Sequence, residues 1–225
     1  MSLKLSVVGT GYLGATHAAC MASMGFEVIG VDVDAAKIDL LSQGKVPFYE
    51  PDLEELLAEQ IKSGRLKFSK DFKDIADCDV HFICVGTPQV KDGIAADLTY
   101  VNSAVETIAP IIKAGSLVVG KSTVPVGTAA RLRDLLISVN PDSDLAWNPE
   151  FLREGFAVED TLRPNRLVVG TTSDKAEATL KEVYAKNLAD GIPWIRADLP
   201  TSELVKVAAN SFLATKISFI NAMAE

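Results

Sequence analysis

The string Gly9-Thr10-Gly11-Tyr12-Leu13-Gly14 follows the apolar run Lys4 to Val8 directly and opens onto a stretch of small residues, Ala15 to Ala22. Placed between a strand and a helix, G-x-G-x-x-G constrains the fold more tightly than any other part of the chain. Gly9 permits the tight turn, Gly11 lets the backbone approach a pyrophosphate, and Gly14 lets the helix pack close to the sheet. The free N–H groups of the first helical turn then hold the anion. The next strand pattern ends at Gly30-Val31-Asp32, with a carboxylate 18 residues past Gly14 that can accept both hydroxyls of a ribose. The same carboxylate repels a 2'-phosphate, so NAD is favoured over NADP unless nearby Lys37 rescues the phosphate. Asp34 reads as the cap of the following helix. Tyr12 covers the cofactor or packs structurally, and the sequence leaves both readings open.

The remainder alternates strand-sized apolar runs with helical periodicity, which argues for a mostly parallel sheet covered on both faces. Strands are predicted over Lys4–Val8, Glu27–Val31, Asp79–Val85, Ser116–Gly120, Asp144–Trp147, Arg166–Val169 and Pro193–Arg196, with a weaker one over Leu66–Phe68. Helices are predicted over Gly14–Met24, Asp34–Ser42, Asp52–Lys62, Tyr100–Lys113, Gly127–Ile137 and Asp174–Lys186. Residues 1–200 thus read as one doubly wound unit. Residues 201–225 contain neither Gly nor Pro and predict a single helix capped by Thr201 or Ser202. Its apolar side chains run round several faces, so it needs cover on several faces. It lacks a stop signal, and the expectation is that a longer chain continues beyond it, the alternative being a terminal helix buried in a dimer.

Loops after the strands are where an open α/β sheet places its ligands. Cys84-Val85-Gly86-Thr87-Pro88 and Lys121-Ser122-Thr123-Val124-Pro125 bring hydroxyls and backbone amides to the edge that carries the glycine turn, although turn chemistry alone explains Thr87 and both prolines. Glu150 and Glu154 stand four apart; on a helix they would share a face and could orient a water or polarise a substrate. Asp160, Arg163 and Arg166 read as loop-to-core ion pairing. Lys206 and Asn210, also four apart on the last helix, could stabilise negative charge developing on oxygen, or form a solvated stripe. His17 and His81 fall inside a helix and a strand and read as structural, as does the strand-end thiol of Cys84.

Composition narrows the rest. With 30 acidic against 22 basic side chains and a formal net charge of −8, the chain offers no basic footprint for nucleic acid. Its apolar runs are too short for a membrane span, and the N-terminus enters a strand pattern at once, so neither a span nor a secretory leader is expected. Cys20, Cys78 and Cys84 match neither a disulfide framework nor a metal-ligand spacing, and no metal is expected. A reducing, cytoplasmic setting is the natural reading.

Taken in order, the segments Gly9–Gly14, Pro47 with Glu50-Pro51, Cys84–Pro88, Ser122–Gly127, Asn148–Gly155, Asp160–Gly170 and Ala208–Asn221 resemble the N-terminal half of the UDP-glucose 6-dehydrogenases, within the nucleotide-sugar dehydrogenase family. The resemblance implies a Rossmann-like NAD-binding domain over residues 1–200 and the start of a long central, dimerising helix over 201–225. It implies oxidation of a sugar C6 alcohol to a carboxylate with reduction of two NAD. Cofactor contacts would come from Gly9, Gly11, Tyr12, Leu13, Gly14, Asp32, Lys37, Val85, Gly86, Thr87, Thr123 and Glu154. Lys206 and Asn210 would hold the C6 oxygen, while Thr123 and Glu150 position water and move protons. The UDP-sugar would touch Glu150, Phe151, Leu152, Arg153, Glu154, Lys206 and Asn210. The family's Cys-Pro-Lys-Asp segment and second, UDP-binding domain are not in this sequence, so these 225 residues are expected to bind NAD without completing the reaction. UDP-N-acetylmannosamine or GDP-mannose oxidation is the nearest alternative; a non-catalytic dinucleotide-binding or dimerisation module is the alternative of another class.

Overall fold

The structure is a computed structural model that describes residues 3–225. Eight strands form one sheet: β1 (Lys4–Val8), β2 (Glu27–Val31), β3 (Leu66–Ser69), β4 (Val80–Ile83), β5 (Leu117–Gly120), β6 (Asp144–Trp147), β7 (Leu167–Gly170) and β8 (Trp194–Ala197). They lie in the order β3-β2-β1-β4-β5-β6-β7-β8. All neighbours pair in parallel except β6 and β7, which meet antiparallel at Trp147 and Gly170. The chain leaves β1 in one direction toward β2 and later crosses to the other side to place β4. That reversal opens a crevice beyond the carboxyl ends of β1 and β4, where such sheets bind ligands.

Side chains alternate across the strands to build a core on each face. Leu5, Val7, Phe82 and Val119 pack on α1 (Tyr12–Ser23), on α3 (Leu53–Lys62) and on α7 (Asp174–Val183). Val8, Ile83, Val118 and Trp147 pack on α4 (Thr99–Ile108) and α5 (Thr128–Val139). The alanines at 15, 18, 19 and 22 are fully buried, so α1 lies close against the sheet and its first turn is held near the tip of β1. Between these come α2 (Ala35–Ser42), capped by Asp34, whose side chain accepts from the Lys37 N–H, the short α6 (Ala157–Leu162) and α8 (Ala185–Ala189).

Three expectations are corrected. The predicted helix over Asp174–Lys186 divides into α7 and α8 at Tyr184, which turns inward to donate its hydroxyl to Asn148 Oδ1 at 2.7 Å. The last helix, α9 (Leu199–Ala224), starts before Thr201: Asp198 caps it by accepting from the Thr201 N–H at 2.7 Å, and Pro200 sits in its first turn. Proline is tolerated there because the missing N–H would have had no helical partner. Glu150 to Gly155 is irregular rather than helical, so Glu150 and Glu154 do not share a helix face.

Helix α9 is seated by its first two turns. Ser202 stands where a Cβ on Gly170 would be, its Oγ 2.1 Å from that position, so only glycine at the end of β7 admits the helix this closely. Leu199, Ser202, Glu203 and Lys206 are buried, whereas every residue from Asn210 to Glu225 is exposed, including Phe212, Leu213, Ile217, Phe219 and Ile220. Among the described residues no helix is long and apolar enough to cross a membrane.

Candidate active site

Gly9 takes φ +87°, and its carbonyl oxygen would lie 1.8 Å from a Cβ on Gly14. The turn therefore closes only with glycine at both positions. Gly11 is extended, and a Cβ added there would meet nothing within 4 Å. It faces a cleft of about 740 Å³ whose lining includes Gly9, Asp32, Lys37, Val85, Gly86 and Thr87. A diphosphate fits this cradle: the first-turn amides are free of side-chain caps, and the Asp32 carboxylate lines the same cleft.

Asp32 is highly ordered by its neighbours. Its Oδ2 accepts from the Thr10 N–H at 2.7 Å, the Thr10 hydroxyl at 3.1 Å and the Lys37 ammonium at 2.9 Å, and its Oδ1 accepts from the Asp34 N–H at 3.0 Å. Burial works to raise this carboxyl, but the Thr10 amide and Lys37 outweigh it and hold the pKa below the ordinary aspartate value. Asp32 is thus an ionised acceptor, with Lys37 spent on it.

Not every sequence candidate lines this cleft. Tyr12 sends its hydroxyl to Glu50 and packs on Phe48 with ring centroids 5.1 Å apart, while Leu13 lines a separate cavity with Lys121, Asn148 and Glu150. Thr123 accepts the Thr87 hydroxyl on its carbonyl at 2.7 Å, which ties the β5 turn to the cleft wall. Glu154 and Arg153 are exposed, and Arg153 pairs with Asp160 at 2.7 Å.

Beyond the carboxyl end of β6, the following loop lines the second cavity and meets α9. Glu150 Oε2 accepts the Leu152 N–H at 2.6 Å, and its Oε1 pairs with the Lys206 ammonium at 2.9 Å. Lys206 is buried, with its ammonium 5.3 Å from the Phe151 ring centre, and the Arg166 guanidinium lies over the same ring at 4.4 Å. Lys206 is therefore not part of a solvated stripe. Asn210, one turn further, is exposed. The pair can release its two charges to a hydroxyl that enters between them: the ammonium stabilises a developing alkoxide and the carboxylate receives a proton.

Several residues of this region escaped the sequence reading. Buried Glu50 accepts from Tyr12, from Gly155 N–H at 2.9 Å and from Ala157 N–H at 2.7 Å, and so fastens the glycine turn to the end of the Glu150 loop. Buried Lys121 donates to Asn148 Oδ1 at 3.0 Å, the oxygen that Tyr184 also uses, and Asn148 donates to the Val168 carbonyl at 2.9 Å. Burial depresses the Lys121 pKa. Glu203 on α9 accepts from two amides at the start of α5. Glu50, Lys121 and Asn148 stand inside recognisable strings, but Glu203 and Tyr184 carried no local signal. The three thiols are unreactive by environment: burial pushes Cys20 and Cys84 up to about 12 and Cys78 to about 11. Among the described residues no cluster of metal-ligating side chains occurs.

A strand order that begins 3-2-1-4-5-6, with a glycine turn after β1 and a carboxylate after β2, defines a dinucleotide-binding domain. Residues 3–188 match the NAD binding domain of the UDP-glucose/GDP-mannose dehydrogenase family, and residues 200–225 match that family's central domain. The chain belongs to this family, and its cofactor is NAD. It is 42% identical to a UDP-glucose 6-dehydrogenase of Rhizobium meliloti over 99% of its own length and 52% of that protein's. Its fold matches a GDP-mannose dehydrogenase from Pseudomonas aeruginosa (TM-score 0.91, 38% identity, 97% of this chain and 52% of that one). It matches a UDP-glucose dehydrogenase from Pyrobaculum islandicum equally well (TM-score 0.90, 40% identity, 99% and 52%). The chain spans about half the length of these relatives.

Proposed function

We propose that this chain supplies the NAD site and part of the sugar site of a UDP-glucose 6-dehydrogenase, which oxidises the C6 alcohol of UDP-glucose to the carboxylate. The observation that carries the reading is the pair of buried Lys206 and part-buried Glu150 at the sheet edge that also holds the NAD cleft. NAD, when bound, supplies the hydride acceptor. Lys206, with Asn210, holds the C6 oxygen and stabilises its negative charge as the C–H bond breaks. Glu150 receives the hydroxyl proton and, with Thr123, orients the water that later releases the acid. Phe151 and Leu152 pack on the nucleotide sugar, and Arg153 and Glu154 border it. The covalent step of the family needs a reactive thiol, and the three buried, high-pKa cysteines here are unsuited to it, so that thiol is proposed to lie outside residues 1–225. The apolar exposed length of α9 supports a homodimer built on that helix.

The experiment is Lys206→Ala in the enzyme that carries this chain. Turnover of UDP-glucose should fall by about 10²–10³-fold, the usual cost of removing one donor to a developing oxyanion, with the NAD dissociation constant unchanged within about threefold. Undiminished turnover would instead support a binding or assembly module. The fold match to a GDP-mannose dehydrogenase gives GDP-mannose a specific claim as second substrate, and the ratio of kcat/KM for the two sugars decides between them.

A further inference from the structure

We propose that Glu203 is a positioning residue that sets the Thr123 turn against Lys206. The proposal rests on the functional reading above. Helix α5 begins at Gly127, which has φ +95° and no side chain to cap the first turn. The capping acceptor comes instead from 76 residues away: Glu203 Oε2 accepts the Gly127 N–H at 2.7 Å, and Oε1 accepts the Ala129 N–H at 2.6 Å. Glu203 is 1% exposed, so both bonds are sheltered from water and both carboxylate oxygens are used. A carboxyl whose two oxygens each hold an amide at the positive end of a helix dipole is a strong and directional restraint.

The consequence lies in what that restraint joins. One turn of α9 beyond Glu203, Lys206 pairs with Glu150 at 2.9 Å. The same stretch of helix therefore grips the loop after β5 through an anion and the loop after β6 through a cation. The β5 loop carries Thr123, whose carbonyl holds the Thr87 hydroxyl of the cofactor cleft. Glu203 thereby fixes the spacing between the cleft wall and the ammonium that would hold the sugar oxygen, without touching either ligand. A displacement of about 1 Å in such a constellation is enough to cost on the order of 10²-fold in rate.

The test uses Glu203→Ala and Glu203→Gln. Gln keeps one carbonyl oxygen as an acceptor and guards against a simple folding failure. In the 225-residue chain, amide hydrogen exchange should quicken at least tenfold in Glu203→Ala at Gly127 and Ala129. It should also quicken at Leu152, whose N–H is held by Glu150, a change that loss of a cap on α5 alone would not produce. In the enzyme, Glu203→Ala should lower kcat about 10- to 100-fold with KM for NAD and sugar little changed, and Glu203→Gln should recover most of it. Exchange confined to 127 and 129, or unchanged everywhere, overturns the proposal, as does a kcat within twofold of wild type. A wild-type enzyme without nucleotide-sugar turnover would defeat the functional reading, whereas the Leu152 exchange would still decide whether the clamp exists.

Discussion

Gly14→Ala is expected to abolish measurable NAD binding and to destabilise the domain, while Gly11→Ala weakens binding and leaves the free protein intact. A methyl on residue 14 would stand 1.8 Å from the Gly9 carbonyl oxygen and 3.2 Å from Cys84 Cβ. The nearest of these is backbone, so no rotamer change relieves it and the turn must open. Overpacking of this kind costs about 1–3 kcal/mol in stability, and an opened turn loses the aligned amides, so affinity should fall by more than about 100-fold. Residue 11 behaves in the opposite way. Its φ of −69° suits alanine and its methyl would meet no protein atom within 4 Å, so the unliganded domain should be as stable or gain about 0.4–1 kcal/mol from a less flexible unfolded chain. The methyl would occupy the approach of the pyrophosphate, and at least a tenfold loss of NAD affinity is expected. Thermal melts and calorimetric titrations of both variants separate the two effects. Full affinity in Gly11→Ala would mean that the pyrophosphate does not lie against this turn.

The contrast shows why this part of the molecule was readable from the sequence. A turn that tolerates only glycine for local steric reasons leaves a local string, and strands buried on both faces leave continuous apolar runs, so the parallel sheet and its ligand edge were visible. What sequence alone did not disclose depends on pairs far apart in the chain. Glu203 meets Gly127 and Ala129, Glu50 meets Gly155 and Ala157, and Tyr184 meets Asn148 only after the sheet has assembled. The spacing of Glu150 and Glu154 pointed to a shared helix face, but Glu150 is drawn to Lys206 and the Leu152 amide, and Gly155 turns to φ +83°, so the segment cannot coil. The absence of Gly and Pro from residues 201–225 points to a helix start at Thr201 or Ser202, whereas Pro200 is part of the first turn and Asp198 supplies the cap.

Acidification should weaken the fold steeply at pH values where exposed carboxylates are still ionised. His17 and His81 are buried at 1% and 0% exposure. Neither His17 ring nitrogen has a protein partner, its ring lying edge-on to Phe82 with centroids 4.4 Å apart, and His81 uses only Nδ1, on the Ser6 hydroxyl at 2.7 Å. Burial drives His81 down to about 3 and His17 well below the ordinary histidine value. A base depressed in the folded state takes its proton first in the unfolded chain. Its stabilising contribution is complete above the unfolded value near 6.5 and is lost as pH falls toward the folded value. Each histidine therefore costs up to about 1.4 kcal/mol per pH unit once pH is well below 6.5, or about 3 kcal/mol for the two between pH 6.5 and 5. The acids with depressed values, Asp32, Glu50, Asp79, Asp97, Asp160, Glu177 and Asp198, lose their contributions only lower, below the ordinary carboxylate range. Glu203 acts in the other direction: burial raises its carboxyl, so its contribution is present below the ordinary glutamate value and is lost as pH rises through the folded value. Its opposing slope is common to wild type and variant, so a difference between them isolates the imidazole. His17→Leu, which replaces an unpartnered imidazole with an apolar group, should halve the histidine slope measured by urea unfolding from pH 7 to 5 without lowering stability at pH 7. An unchanged slope would mean that His17 takes up a proton in the folded protein, through a partner that its position on α1 against Phe82 does not provide.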